Sequence, residues 1–110
     1  MNKEFINKTL NDLIKNLDQF KMKKFQLNLV EVAKAINRNL NSKNTIFSCG
    51  NGGSASQASH FTTELIVRFK KKYERKPYNS ICLGSDMSML TAVGNDYGFE
   101  YIFSRELEGL

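Results

Sequence analysis

Two short apolar runs, "TIFSC" (Thr45 to Cys49) and "NSICL" (Asn79 to Leu83), constrain this chain most. Both are rich in β-branched and other apolar residues, the composition of a buried strand. Between them, Ala58, Phe61, Leu65 and Phe69 recur at near-helical spacing, so Ala55 to Phe69 is predicted to be a helix. Strand, helix, strand in that order predicts parallel pairing with a right-handed crossover. After the second run come Gly84, then a short helix over Ser85 to Val93 capped by Ser85 or Asp86. A loop over Gly94 to Gly98 follows, and a further helix begins at Phe99. Parallel strands need cover on both faces. Two strands make a poor sheet, and the chain stops where a third is expected. The expectation is therefore an α/β fold, a parallel sheet sandwiched by helices and truncated after its N-terminal half.

The first 42 residues have a different period. Ile6, Leu10, Leu13, Ile14 and Leu17 predict an amphipathic helix over 3–18. Phe25, Leu29, Val32, Ala33, Ile36 and Leu40 repeat the pattern over 22–41. Each helix has one apolar stripe and must pack on something, an internal core or a partner subunit. Residues 1–42 are thus expected to be a helical hairpin, and 43–110 the first half of the α/β domain.

The bulk properties exclude several classes. At 110 residues, with 41% hydrophobic and 25% charged residues, the chain is an ordinary small globular domain. No apolar run is long enough to span a bilayer, and the polar N-terminus does not read as a signal peptide. Cys49 and Cys82, placed in the two expected strands, read as small buried apolar residues in a reducing compartment, so a cytoplasmic location is expected. The net charge of +5 has one source. "RFKKKYERK" (Arg68 to Lys76) holds six basic residues and one acidic, which leaves ten of each sign elsewhere. A solvated helix end accounts for this patch, because cations are favoured near a helix C-terminus. No nucleic-acid recognition motif accompanies it, so nucleic acid is not an expected partner. An anionic substrate drawn by the local field is an alternative.

Three motifs carry chemistry. Gly50, Asn51, Gly52 and Gly53 lie between the first strand and its helix. Gly50, Gly52 and Ala55 formally match a dinucleotide fingerprint, but the acid it needs about 20 residues on is replaced by Lys70, Lys71 and Lys72. No G-K-[ST] follows either, so this is not a P-loop. What remains is a turn at the carboxyl end of a strand, where open α/β sheets bind ligands. Gly52 and Gly53 permit close backbone approach, Ser54 is expected to cap the helix, and the helix N-terminus favours an anion. A tight turn with a serine cap is the plainer alternative. Second, His60 and Glu64 are four apart on the same helix and share a face. That pair suits a divalent metal, although it also suits a solvated ion pair. His60 is the chain's only histidine, so any further ligands would come from beyond residue 110 or from another subunit. Third, "GNDYGF" (Gly94 to Phe99) sets Asn95 and Asp96 where they could hold sugar hydroxyls.

Taken together, "CGNGGSASQASHFTTEL…RF" and "SDMSMLTAVGNDYGFEYIFSREL" resemble the N-terminal half of the phosphoheptose isomerases, members of the sugar isomerase (SIS) domain family. The resemblance is close over Ile46 to Leu107 and extends to the two N-terminal helices by pattern. It implies a flavodoxin-like SIS fold. It implies an isomerase that converts sedoheptulose 7-phosphate to D-glycero-D-manno-heptose 7-phosphate for lipopolysaccharide or capsule heptose synthesis. It further implies zinc, a cytoplasmic homotetramer that the N-terminal hairpin of residues 1–42 helps to build by oligomerisation, and sites formed between subunits. By match of motif, His60 and Glu64 would be zinc ligands, with Glu64 also the catalytic base. Asn51, Gly52, Gly53, Ser54, Glu64, Arg68, Asn95 and Asp96 would contact the phosphorylated sugar. The Ser/Thr-rich phosphate loop, and the Gln and His that complete the family's zinc site, have no counterpart in these residues. The alternatives are a non-enzymatic SIS relative that binds a replication initiator, which Glu64 disfavours, and another SIS sugar-phosphate protein.

Overall fold

The computed structural model describes residues 2–110. The chain divides into two compact units, one up to Arg38 and one from Asn39 to Leu110.

The first unit is helical. Helix α1 spans Lys3–Asp18, and Asn2 caps it by accepting from the Phe5 amide at 2.9 Å. A 3-10 turn, Gln19–Lys21, leads into α2, Lys23–Asn41. The rings of Phe20 and Phe25 meet edge-on at this junction, centroids 4.6 Å apart. Both apolar stripes are where the spacing puts them, but no described side chain of the unit is buried. Leu10, Leu13, Ile14 and Leu17 are all about half exposed.

At the entry to the second unit, Lys43 lies in the left-handed region with φ 59°. The Asn44 amide reaches back to Asn39 O at 3.0 Å and the Lys43 amide to Leu40 O at 3.1 Å, which closes α2. Strand β1 (Ile46–Ser48), helix α3 (Gly53–Ile66) and strand β2 (Ser80–Cys82) then form the expected unit. The strands pair in parallel, with Ile46 opposite Ser80 and Ser48 opposite Cys82. Helix α3 packs on both strands. Its buried residues Ala58 and Thr62 face them, and a hydroxyl cluster joins the three elements. Ser48 Oγ donates to Ala58 O at 3.0 Å and lies 2.8 Å from Thr62 Oγ1. Ser80 Oγ donates to Ile46 O at 3.1 Å and approaches Thr62 Oγ1 at 3.4 Å.

Helix α4 spans Met87–Asp96, a 3-10 turn Phe99–Tyr101 follows, and α5 spans Ser104–Glu108. Asp86 caps α4, its Oδ1 accepting from the Ser88 and Met89 amides at 2.8 and 3.0 Å. The apolar core here is Leu83, Val93 and the fully buried Ile102. Glu106 Oε2 accepts from the Gly84 amide at 2.6 Å, which ties α5 to the end of β2.

Several local expectations are corrected. Gly94, Asn95 and Asp96 are the last turn of α4, not a loop. Helix α3 ends at Ile66 rather than Phe69, and an irregular segment leads from it to β2. The final helix is broken into a 3-10 turn and a short α5. Cys49 lies outside β1 and is exposed, so only Cys82 sits in a strand. No helix among the described residues is long and apolar enough to cross a membrane.

Candidate active site

The glycine loop is built by close approach and by one unusual backbone conformation. A Cβ on Gly50 would lie 2.5 Å from the Ser54 carbonyl carbon and oxygen, so only glycine fits where β1 hands over to α3. Gly52 has φ 56° and ψ −125° and acts as the N-cap of α3 without a side chain. Ser54 is the second residue of the helix and does not cap it. Its amide instead donates to Asn51 O at 3.0 Å, and the Ala55 amide donates to Gly52 O at 3.1 Å. The serine was expected to cap because it precedes the apolar spacing; the glycine turn moves the helix start back to Gly53.

One to two turns on, His60 Nε2 and Glu64 Oε1 are 3.3 Å apart. The His60 side chain is 74% exposed, whereas that of Glu64 is only 26% exposed. Glu64 Oε2 is buried and has no hydrogen-bond partner. An unpaired buried carboxylate oxygen costs free energy unless a cation, donor or proton meets it. His60 lines two clefts, and Glu64 lines the first of them. One, of about 700 Å³, is mostly apolar and is lined by His60, Phe61, Glu64, Phe69, Arg75 and Tyr78 among others. The other, of about 550 Å³, sits at the carboxyl end of β2 and is more polar. It is lined by Ser56, Ser59, His60 and Thr63 of α3 and by Cys82 to Ser85.

The structure therefore brings His60 and Glu64 together. Asn51, Gly52, Gly53, Ser54, Asn95 and Asp96 line neither cleft. Arg68 lines neither cleft and pairs with Glu74. Arg75 was not singled out in the sequence, yet its Nη2 donates to the Glu64 carbonyl at 2.5 Å. Nothing in the basic run distinguishes it from its neighbours, and only the return of the chain reveals it.

The donor types, one imidazole and one carboxylate with a free oxygen, fit half of a tetrahedral zinc site. Among the described residues no third His, Cys, Asp or Glu joins them. A complete site needs ligands from elsewhere.

No family model matches the chain. Individual proteins do. Over 82 residues it is 51% identical to the phosphoheptose isomerase of Aquifex aeolicus, covering 74% of this chain and 42% of that protein. Over 65 residues it is 57% identical to that of Campylobacter jejuni, covering 59% and 34%. The structure superposes on a phosphoheptose isomerase from Francisella tularensis with a TM-score of 0.89 and 32% identity, covering 100% of this chain and 56% of that one. For the Neisseria gonorrhoeae enzyme the TM-score is 0.84 with 30% identity, covering 98% and 54%. The chain spans less than half the length of the curated relatives it matches. In sequence and in fold, this chain is related to part of the phosphoheptose isomerases.

Proposed function

We propose that these residues are the N-terminal part of a sugar-phosphate aldose–ketose isomerase acting on sedoheptulose 7-phosphate. The product would be D-glycero-D-manno-heptose 7-phosphate, supplied to lipopolysaccharide or capsule heptose synthesis. The observation that carries the reading is Glu64. It carries a buried oxygen without a partner and lies one turn from an exposed histidine, His60, which lines the cleft at the carboxyl end of β2.

The reaction moves one proton between neighbouring carbons. Glu64 would take the proton from C1 of the ketose, giving an enediol, and return it to C2, while the hydroxyl proton passes from O1 to O2. A carboxylate suits this exchange because it can hold the proton without leaving its position. His60 and Glu64 would hold zinc, together with ligands from outside these residues. When bound, zinc would polarise the substrate carbonyl and stabilise negative charge on oxygen. Gly52 and Gly53, with Asn51 and Ser54, would let backbone approach the sugar. Asn95, Asp96 and Arg68 would complete substrate contacts on assembly. A homotetramer in the cytoplasm, joined through the exposed stripes of α1 and α2, fits this reading, because those stripes require cover.

The test is turnover of sedoheptulose 7-phosphate by the complete protein with zinc chloride, comparing wild type with Glu64→Gln and His60→Ala. Glu64→Gln keeps shape and loses the base. It should reduce kcat by at least about a hundredfold. Undiminished turnover in Glu64→Gln would remove the residue from the mechanism.

A further inference from the structure

The last turn of α3 carries Glu64, and its end is closed in an unusual way. A helix leaves its final carbonyls without intrahelical partners. Here the Val67 amide takes Thr63 O at 2.8 Å and the Tyr78 amide takes Leu65 O at 3.2 Å. The carbonyl between them, that of Glu64 itself, is taken by Arg75 Nη2 at 2.5 Å. The guanidinium is held in turn. Nη1 donates to Lys76 O at 3.0 Å, and the group stacks on the Tyr78 ring, 4.3 Å from its centroid. Arg75 is half-buried, unlike the lysines of the same basic run.

The geometry points to Arg75 as a positioning residue for Glu64, an inference that rests on the metal-site reading above. Arg75 touches neither carboxylate oxygen. It fixes the backbone from which the carboxylate projects, and so fixes Oε1 beside His60 and Oε2 in its buried position. A planar fork of donors allows one group to satisfy two carbonyls and stack on a ring; a lysine ammonium cannot do all three. The single arginine thus links the segment leading to β2 to the metal-type pair on α3.

The experiment compares wild type, Arg75→Ala, Arg75→Lys and Lys72→Ala. Lys72 lies over the exposed Tyr73 ring and removes the same charge without touching α3. Two readouts are taken. The first is zinc affinity, measured with zinc chloride against a chromophoric chelator. Loss of a nearby cation through its field alone would tighten zinc binding. Loss of positioning would weaken it, by about ten- to a hundredfold as for other supports of metal ligands. Arg75→Ala is expected to weaken binding on that scale, Arg75→Lys to recover only a small part, and Lys72→Ala to leave it unchanged or slightly tighter. Zinc affinity in Arg75→Ala equal to or tighter than wild type overturns the inference, as does full recovery by lysine.

The second readout needs no metal. Amide exchange across residues 63–67 should accelerate about tenfold or more in Arg75→Ala, while the first turns of α3 stay protected. Unchanged exchange there overturns the inference by itself. If wild type takes up no zinc, the metal reading fails, and the exchange data still decide whether Arg75 holds the Glu64 backbone.

Discussion

Three glycines of one loop answer differently to the same substitution. A Cβ on Gly50 would stand 2.5 Å from the carbonyl of Ser54 and 2.8 Å from its Cβ. Ordinary carbon contacts begin near 3.5 Å, so the end of β1 and the first turn of α3 must separate by about 1 Å. Forcing that on packed elements costs about 1–3 kcal/mol or more. At Gly53 a Cβ would meet no heavy atom within 4 Å, and the residue opens α3 without a left-handed φ. Gly53→Ala should stabilise by about 0.4–1 kcal/mol, through a less flexible unfolded chain. Gly52 has open space but φ 56°, so Gly52→Ala should cost about 1–3 kcal/mol from backbone strain. The assay is urea unfolding followed by far-UV circular dichroism. With m of about 1–2 kcal/mol per molar, the midpoints of Gly53→Ala and Gly50→Ala should differ by at least about 0.7 M urea. Equal midpoints, or a Gly53→Ala midpoint below wild type, would refute the geometry. The contrast also isolates function. With open space for a Cβ at Gly53, loss of substrate binding in a stably folded Gly53→Ala protein would assign that glycine to the ligand.

Two more substitutions probe the frame around the site. Thr62→Val removes the hydroxyl that Ser48 and Ser80 share, while each serine keeps its backbone acceptor; it should cost about 1 kcal/mol in urea unfolding, and a cost above about 3 kcal/mol would mean that the cluster is cooperative. Lys43→Gly relieves a side chain held at φ 59°. It should raise the unfolding midpoint, by about 0.5–1 kcal/mol, since a left-handed conformation costs an L-residue about 1–2 kcal/mol and glycine returns part of that in chain entropy; a lowered midpoint would show that Lys43 has a stabilising contact.

What the sequence discloses is what local spacing encodes. The two strands, the crossover helix and the Asp86 cap follow from apolar runs and a cap residue before a helical pattern. The His60–Glu64 pair follows from i,i+4 geometry alone. Asn95 and Asp96 were misplaced because Gly94 reads as a breaker. One glycine costs a helix only about 1 kcal/mol, and the Asp86 cap with buried Val93 outweighs it. The serine cap failed for a related reason: the first turn of α3 is set by Gly50 and Gly52 meeting the backbone of Ser54 and Ala55, a three-dimensional fit that no residue preference announces. Arg75 was illegible for a different reason. Its role depends on a contact with Glu64, 11 positions away, through a segment with no periodicity.

The parallel register carries a consequence for synthesis. Ile46 finds its partner Ser80 only after the intervening chain has been made, 34 positions later. At translation rates of about 5–20 residues per second, β1 waits about 2–7 s with an unpaired edge. Helix α3 can form within microseconds of emerging, so it is the first cover available to a face of β1. The contact between the hydroxyls of Thr62 and Ser48 involves only these two elements and no residue of β2. The edge of β1 that pairs with β2 therefore stays open to another chain until β2 has been made, while α3 covers only a face of the strand.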